Sequence, residues 1–341
     1  MSTARKFNAA VSRPAPYVFD YDAEVAEFYA ARPDMKDRLY FVDMKDESFT
    51  VTRPGQADAA EKDEALHKNF HVTNGVRMMG KLGVSFALRA AGPDYGVIAL
   101  AQQARRQGLP RLMGAGASND EENLFVFDHE IGHMVCKNGG PAYFNLRECA
   151  ADAYATIRHI QRLGLSDTVR AIADTRAVEL VFRPDNGDHF TSPVTEAILA
   201  DAEKMDFTAL DAKQTAELAN RYALAHVLNT ADHANAAAAF KALRGRLPEL
   251  AAGDAAPLRA LADIVLETDS PTIFRWGAKA IRALLDGKIL CDGIRIQPPA
   301  SEWEDVRLKL AARDAEHARD GLRFGLNRPP VPANGNKPTV R

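Results

Sequence analysis

His129 and His133 stand four residues apart in the run His129-Glu130-Ile131-Gly132-His133. On an α-helix, residues at this spacing project from nearly the same face one turn above each other, so two imidazoles can meet one ion. Zinc accepts His nitrogen at about 2.0–2.1 Å, and a catalytic zinc takes three protein ligands and leaves its fourth position to water. Glu130, next to the first His, sits beside such an ion without binding it. From there its carboxylate can take a proton from a water whose pKa the metal has lowered. The pattern therefore predicts hydrolysis by an activated water, with one Zn2+ per chain, His129 and His133 as ligands and Glu130 as general base.

These side chains need a helix, and the flanks supply one. Ser118 is a cap residue followed three positions later by Glu121, and the run to Lys137 ends at Asn138-Gly139-Gly140. Ile131 and Gly132 inside the motif are uncharged and Met134-Val135 after it are apolar, as a buried helix requires. With these neighbours the segment resembles the zincin metallopeptidases, whose extended pattern is matched at every position. The metzincin branch would require Gly at position 136 and His at position 139, where this chain has Cys136 and Gly139. Downstream, Asn145-Leu146-Arg147-Glu148-Cys149-Ala150-Ala151-Asp152 opens a second expected helix that runs to about Leu163. This arrangement looks like that of the gluzincins. The resemblance, which spans 119–155, implies Glu148 as third zinc ligand and Asp152 as the acid that orients a ligand histidine.

The residues alone leave an alternative for Glu148: with Asn145 as helix cap, it stands where a capping-box carboxylate would. For Asp152 the alternative is an ordinary, partly exposed acid, set against apolar neighbours Cys149, Ala150, Ala151, Ala153 and Ala155. Relatives of this type stabilise the oxyanion of peptide hydrolysis with a His or Tyr. His189, in a loop leading to Ser192-Pro193, is the candidate for that role, followed by Tyr143 and Tyr154. His67, His71, His159, His226, His233 and His317 show no ligand-type spacing with one another.

The elements that must position these residues are mostly helical. Asp20 caps an expected helix over Tyr21–Ala31, with Pro33 just past its end. Leu39–Met44 and Ser48–Arg53, rich in aromatic and β-branched residues and joined by Lys45-Asp46-Glu47, read as a hairpin and as the one clear pair of strands. From about residue 57 the periodicity is mainly helical, and Ser192-Pro193 and Ser270-Pro271 read as helix starts. The Ala-rich stretch Ala209 to Leu266 resembles stacked helical hairpins. The expected fold is mainly α, of α+β class: a zincin-like core with a small N-terminal hairpin or sheet and a helical C-terminal lobe. The expected organisation is an arm at 1–19, a catalytic region at 20–165, a helical lobe at 166–327 and a tail at 328–341.

Composition removes several function classes. Lys and Arg number 43 against 46 Asp and Glu, a net charge of -3, with no concentrated basic surface for phosphates. Nucleic acid is not an expected partner. Cys136, Cys149 and Cys291 form neither a CxxC metal pair nor a disulfide framework, which fits a reducing compartment. Met1 to Ala10 is basic with no apolar run behind it, and no window approaches the roughly 18 apolar residues of a membrane span. Cytoplasmic residence and a peptide or protein substrate are expected. Two other readings carry different consequences. One is a helical scaffold for a protein or peptide partner, with a structural metal or none; the other is a zinc hydrolase of a non-peptide bond.

Overall fold

The computed structural model describes residues 16–45, 48–52, 58–82, 84–89, 95–101, 112–136, 144–183, 189–291, 293–295 and 300–319. Tyr143, the tail at 328–341 and most of the arm at 1–19 lie outside the described residues. Helix α1, Tyr21–Ala31, starts where expected, with the Asp20 carboxylate accepting from the Ala23 amide. Strands β1, Leu39–Lys45, and β2, Ser48–Thr52, form the expected antiparallel hairpin.

The hairpin is half of a four-stranded sheet, the small N-terminal sheet of the expected fold, with two strands beyond the one clear pair. Helices α2, Ala59–His67, and α3, Phe70–Leu82, lead to β3, Phe86–Arg89, and β4, Gly96–Leu100. The order is β2-β1-β4-β3, with β4 parallel to β1 and antiparallel to β3. Strand β4 escapes pattern reading because all five of its residues are buried, so hydrophobicity does not alternate. Ile98 and Leu100 face one core cluster while Val97 and Ala99 face another. Strand β5, Leu112–Gly114, follows.

Helix α4, Asn119–Val135, carries the two histidines and begins on Ser118, whose hydroxyl accepts from the Glu121 amide. Phe127 on α4 stacks on Phe41 of β1 with ring centroids 5.5 Å apart, which seats the helix on the sheet. Helix α5, Phe144–Leu163, packs along α4. Gly132 makes that approach possible: a Cβ there would lie 2.7 Å from the Ala151 Cα and 3.0 Å from its carbonyl oxygen. The glycine inside the histidine motif is thus set by helix packing.

Helix α6, Asp167–Phe182, is capped by Ser166, and α7 spans Ser192–Ala202. Ser192 does not cap α7 as the sequence suggests. Thr191 holds the cap position, and the Ser192 hydroxyl donates to the Ala173 carbonyl on α6 at 2.7 Å. Helices α8, Ala212–His226, α9, Thr230–Ala239, α10, Leu247–Ala251, α11, Ala256–Glu267, and α12, Pro271–Leu285, follow in order. Ser270 caps α12 as expected. Strands β6, Ile289–Cys291, and β7, Ile294–Arg295, then pair with β5 in a three-stranded sheet ordered β5-β6-β7, and α13, Ala300–Arg319, ends the described chain.

The Ala-rich stretch does not form one stack. Helix α8 packs on α5 and α7, placing Leu218, Ala219 and Tyr222 in the cluster that holds Phe41, Phe127 and Ile131. Helices α9 and α11 pack on α12, where Ala236, Leu261 and Val265 join a second cluster. Among the described residues no helix is long and apolar enough to cross a membrane.

Candidate metal centre

Two adjacent helices bring the motif residues to one point. His129 and His133 project from α4 with their Nε2 atoms 3.0 Å apart. Glu148, on the first turns of α5, places Oε2 3.4 Å from the His129 Nε2 and 3.5 Å from the His133 Nε2. Ligand atoms held at about 2.0–2.1 Å around a tetrahedral ion lie roughly 3.3–3.4 Å from one another, close to this spacing. Oε2 is buried and has no hydrogen-bond partner among the described residues. His129, His133 and Glu148 therefore form a group able to hold a metal ion.

The alternative for Glu148 does not hold. Helix α5 begins at Phe144, so Asn145 lies inside its first turn, and the Asn145 Nδ2 donates to the Phe190 carbonyl at 3.1 Å. Asp152, fully buried on α5, accepts from the His129 Nδ1 at 2.6 Å. That contact keeps a proton on Nδ1 and leaves Nε2 facing the site.

Asp152 has further partners that sequence reasoning missed. Arg176 of α6 donates to it through Nε at 2.7 Å and Nη2 at 2.9 Å, and the Thr191 hydroxyl donates at 2.5 Å. Arg176 also binds Glu179 at 2.6 Å, which in turn receives Arg183 at 3.4 Å. One signal was present in the sequence: Glu179 interrupts the apolar run Ala177–Phe182 three residues after Arg176, as a buried ion pair on a core helix does. No such signal marked Thr191.

The charges fit a dication. Glu130, Glu148 and Asp152 are 7%, 4% and 0% exposed, and Arg176 is the cation that binds this set directly. With Glu179, which shares Arg176 and meets Arg183, the buried carboxylates outnumber the guanidiniums, a negative surplus of the sign a divalent ion would offset. In the metal-free protein protons serve instead. Burial alone would lower the His129 pKa, but Asp152 and Glu148 outweigh it and hold the ring protonated up to about 10. Burial opposes ionisation of Asp152, yet Arg176 and His129 hold its carboxyl well below the usual range. Burial raises the Glu130 carboxyl above the usual range, with His129 and His133 opposing it.

His189 does reach the site, with Nε2 3.7 Å from the Glu148 Oε2, and burial lowers its pKa. Tyr154 does not serve there. It is buried in the core cluster with Phe127 and Ile131, and its Cβ lies 3.2 Å from where a Gly132 Cβ would stand. Cys136 and Cys149 are buried free thiols that burial pushes upward in pKa, so neither offers a thiolate.

A cavity of about 130 Å³ lies between α4 and α6 and shares Arg176 with the surroundings of Asp152. Glu122 and Val126 of α4 line it, two turns and one turn before His129 on the same stripe of the helix, together with Ile172, Arg176 and Glu179 of α6. Arg176 thus faces both the cavity and Asp152. Comparison with protein-family models, curated proteins and solved structures gives no match for this chain.

Proposed function

We propose that this protein is a zinc-dependent peptidase of the zincin kind, with His129, His133 and Glu148 as the protein ligands. The observation that carries the reading is the convergence of His129 and His133 on the buried Glu148 Oε2, which makes no hydrogen bond among the described residues, with Glu130 buried on the same helix as the histidines. Zinc, when bound, would lower the pKa of a water and polarise the substrate carbonyl. Glu130 then takes the proton of the attacking water and delivers it to the leaving amine. Asp152 holds His129 in the tautomer that binds metal, and His189 donates to the oxygen that gains charge at the attacked carbonyl.

The deciding experiment begins with metal analysis of protein purified without chelator. About one zinc per chain is expected, and His133→Ala should lose it. The zinc-loaded wild type is then incubated with a mixed peptide library, and the products are read by mass spectrometry. Cleavage by wild type and its loss in Glu130→Gln support the peptidase reading. A wild type that takes up no zinc removes the metal centre. One that holds zinc but cleaves no peptide in a library covering all side-chain classes removes the peptidase and leaves a non-peptide hydrolase or a structural metal site.

A further inference from the structure

Three consecutive residues, His189, Phe190 and Thr191, run beside the ligand face of α5 and are tied to it at successive turns. The Asn145 Nδ2 and the Cys149 Sγ both donate to the Phe190 carbonyl, at 3.1 Å and 3.8 Å. The Thr191 hydroxyl donates to the Asp152 Oδ2 at 2.5 Å. Asn145, Cys149 and Asp152 occupy one stripe of the helix, and Glu148 lies beside it. His189 is held over Glu148 by these ties.

Thr191 gives up its usual role to make its tie. It is the N-cap residue of α7, and a threonine there ordinarily accepts a hydrogen bond from a backbone amide of the first turn. Here its side chain makes no cap bond and is spent on Asp152. The bond to a buried carboxylate is charge-assisted and stronger than a neutral one. Asp152 does not need it to stay in place. His129 and Arg176 supply three other hydrogen bonds, so the carboxylate is already fixed from two helices. What lacks another side-chain anchor through Asp152 is the segment that carries His189.

From this we infer that Thr191 is a positioning residue: it uses Asp152, the carboxylate that orients the metal ligand His129, to set His189 over the metal centre. The inference rests on the metal-centre reading above. One buried acid thereby places both the ligand ring and the ring that faces the substrate oxygen.

The test uses full-length zinc-loaded protein and acetohydroxamate, a small chelator whose carbonyl oxygen can occupy the place of a substrate carbonyl. Thr191→Val removes the hydroxyl at nearly constant shape, and Thr191→Ser keeps it. Thr191→Val should weaken acetohydroxamate by about 10-fold, with zinc affinity changed less than that, while Thr191→Ser stays near wild type. In a His189→Gln background, Thr191→Val should add nothing, because the two changes act through one group. Should Thr191→Val prove poorly folded by circular dichroism, Asn145→Ala cuts the neighbouring tie to Phe190 and carries the same expectation. Equal weakening with and without His189, or no weakening at all, overturns the inference while leaving the metal centre standing. A wild type that takes up no zinc removes the reading beneath it and the inference with it.

Discussion

Two acids on one face of α5 have different surroundings, and the proposed site gives them separate duties. Asp152 accepts from His129, Arg176 and Thr191, which uses both of its oxygens, whereas the Glu148 Oε2 faces the histidines with no hydrogen bond of its own. Glu148→Ala should therefore open a coordination position and weaken zinc binding severely. Asp152→Asn should weaken it by about 10- to 100-fold, the range for a group that only orients a ligand. Zinc titration against a competing chelator measures both, and the reverse order would make Asp152 the ligand. Glu130→Gln keeps size and should keep zinc, since Glu130 is not a ligand. Loss of the base should lower kcat by at least roughly 100-fold on any peptide that the wild type cleaves. A zinc-loaded variant with near-normal turnover would remove Glu130 from the chemistry.

Between α4 and α5 the limiting dimension is set by Gly132. In an exposed helix Gly→Ala stabilises by about 1 kcal/mol through propensity. Here the new Cβ would meet the backbone of Ala151 at 2.7 Å, and backbone cannot swing aside as a flexible side chain can. Overpacking of this kind costs about 1–3 kcal/mol, so it outweighs the propensity gain and the sign reverses. Gly132→Ala should lower stability in denaturant unfolding by that amount and weaken zinc binding as well, because moving α5 away carries Glu148 and Asp152 with it. Unchanged stability and metal affinity would show that the helices separate at no cost.

Across the whole molecule the buried acids make stability depend on pH and on metal together. In the metal-free protein the His129 pKa is raised from 6.5 to about 10. A raised base contributes stability that is fully present below its unfolded value and is lost as pH rises through the folded one. Asp128, which burial holds up to about 7, acts in the same sense at lower pH, while Cys136 enters only above its ordinary value of 9.0. Between pH 7 and 9 the melting temperature of metal-free protein should therefore fall, with His129 as the main contributor. Zinc takes the place of the proton, so the slope should flatten in its presence and zinc affinity should rise with pH. Thermal unfolding across this window, with zinc and with chelator, reads both effects. A flat metal-free profile would show that His129 is not held protonated.

Several features were legible in the chain because each depends only on near neighbours. The spacing of His129, Glu130 and His133, the caps at Asp20, Ser118 and Ser270, and the β1–β2 hairpin all act within a few residues, and each is found where the pattern puts it. Glu148 and Asp152 were singled out through resemblance, and the different partners each meets came only with the tertiary structure. What tertiary structure alone decided depends on contacts between distant segments. Strand β4 has no alternation because both its faces are covered, and β5 finds its partner β6 across just over half the chain. Arg176 and Thr191 reach Asp152 from outside the motif region, and Thr191 does so by leaving a local bond that its position in the sequence would favour. Gly132 is a poor helix former in every local respect. Its place in the motif is explained by Ala151, nineteen positions away, because two backbones can approach that closely only where one has no side chain.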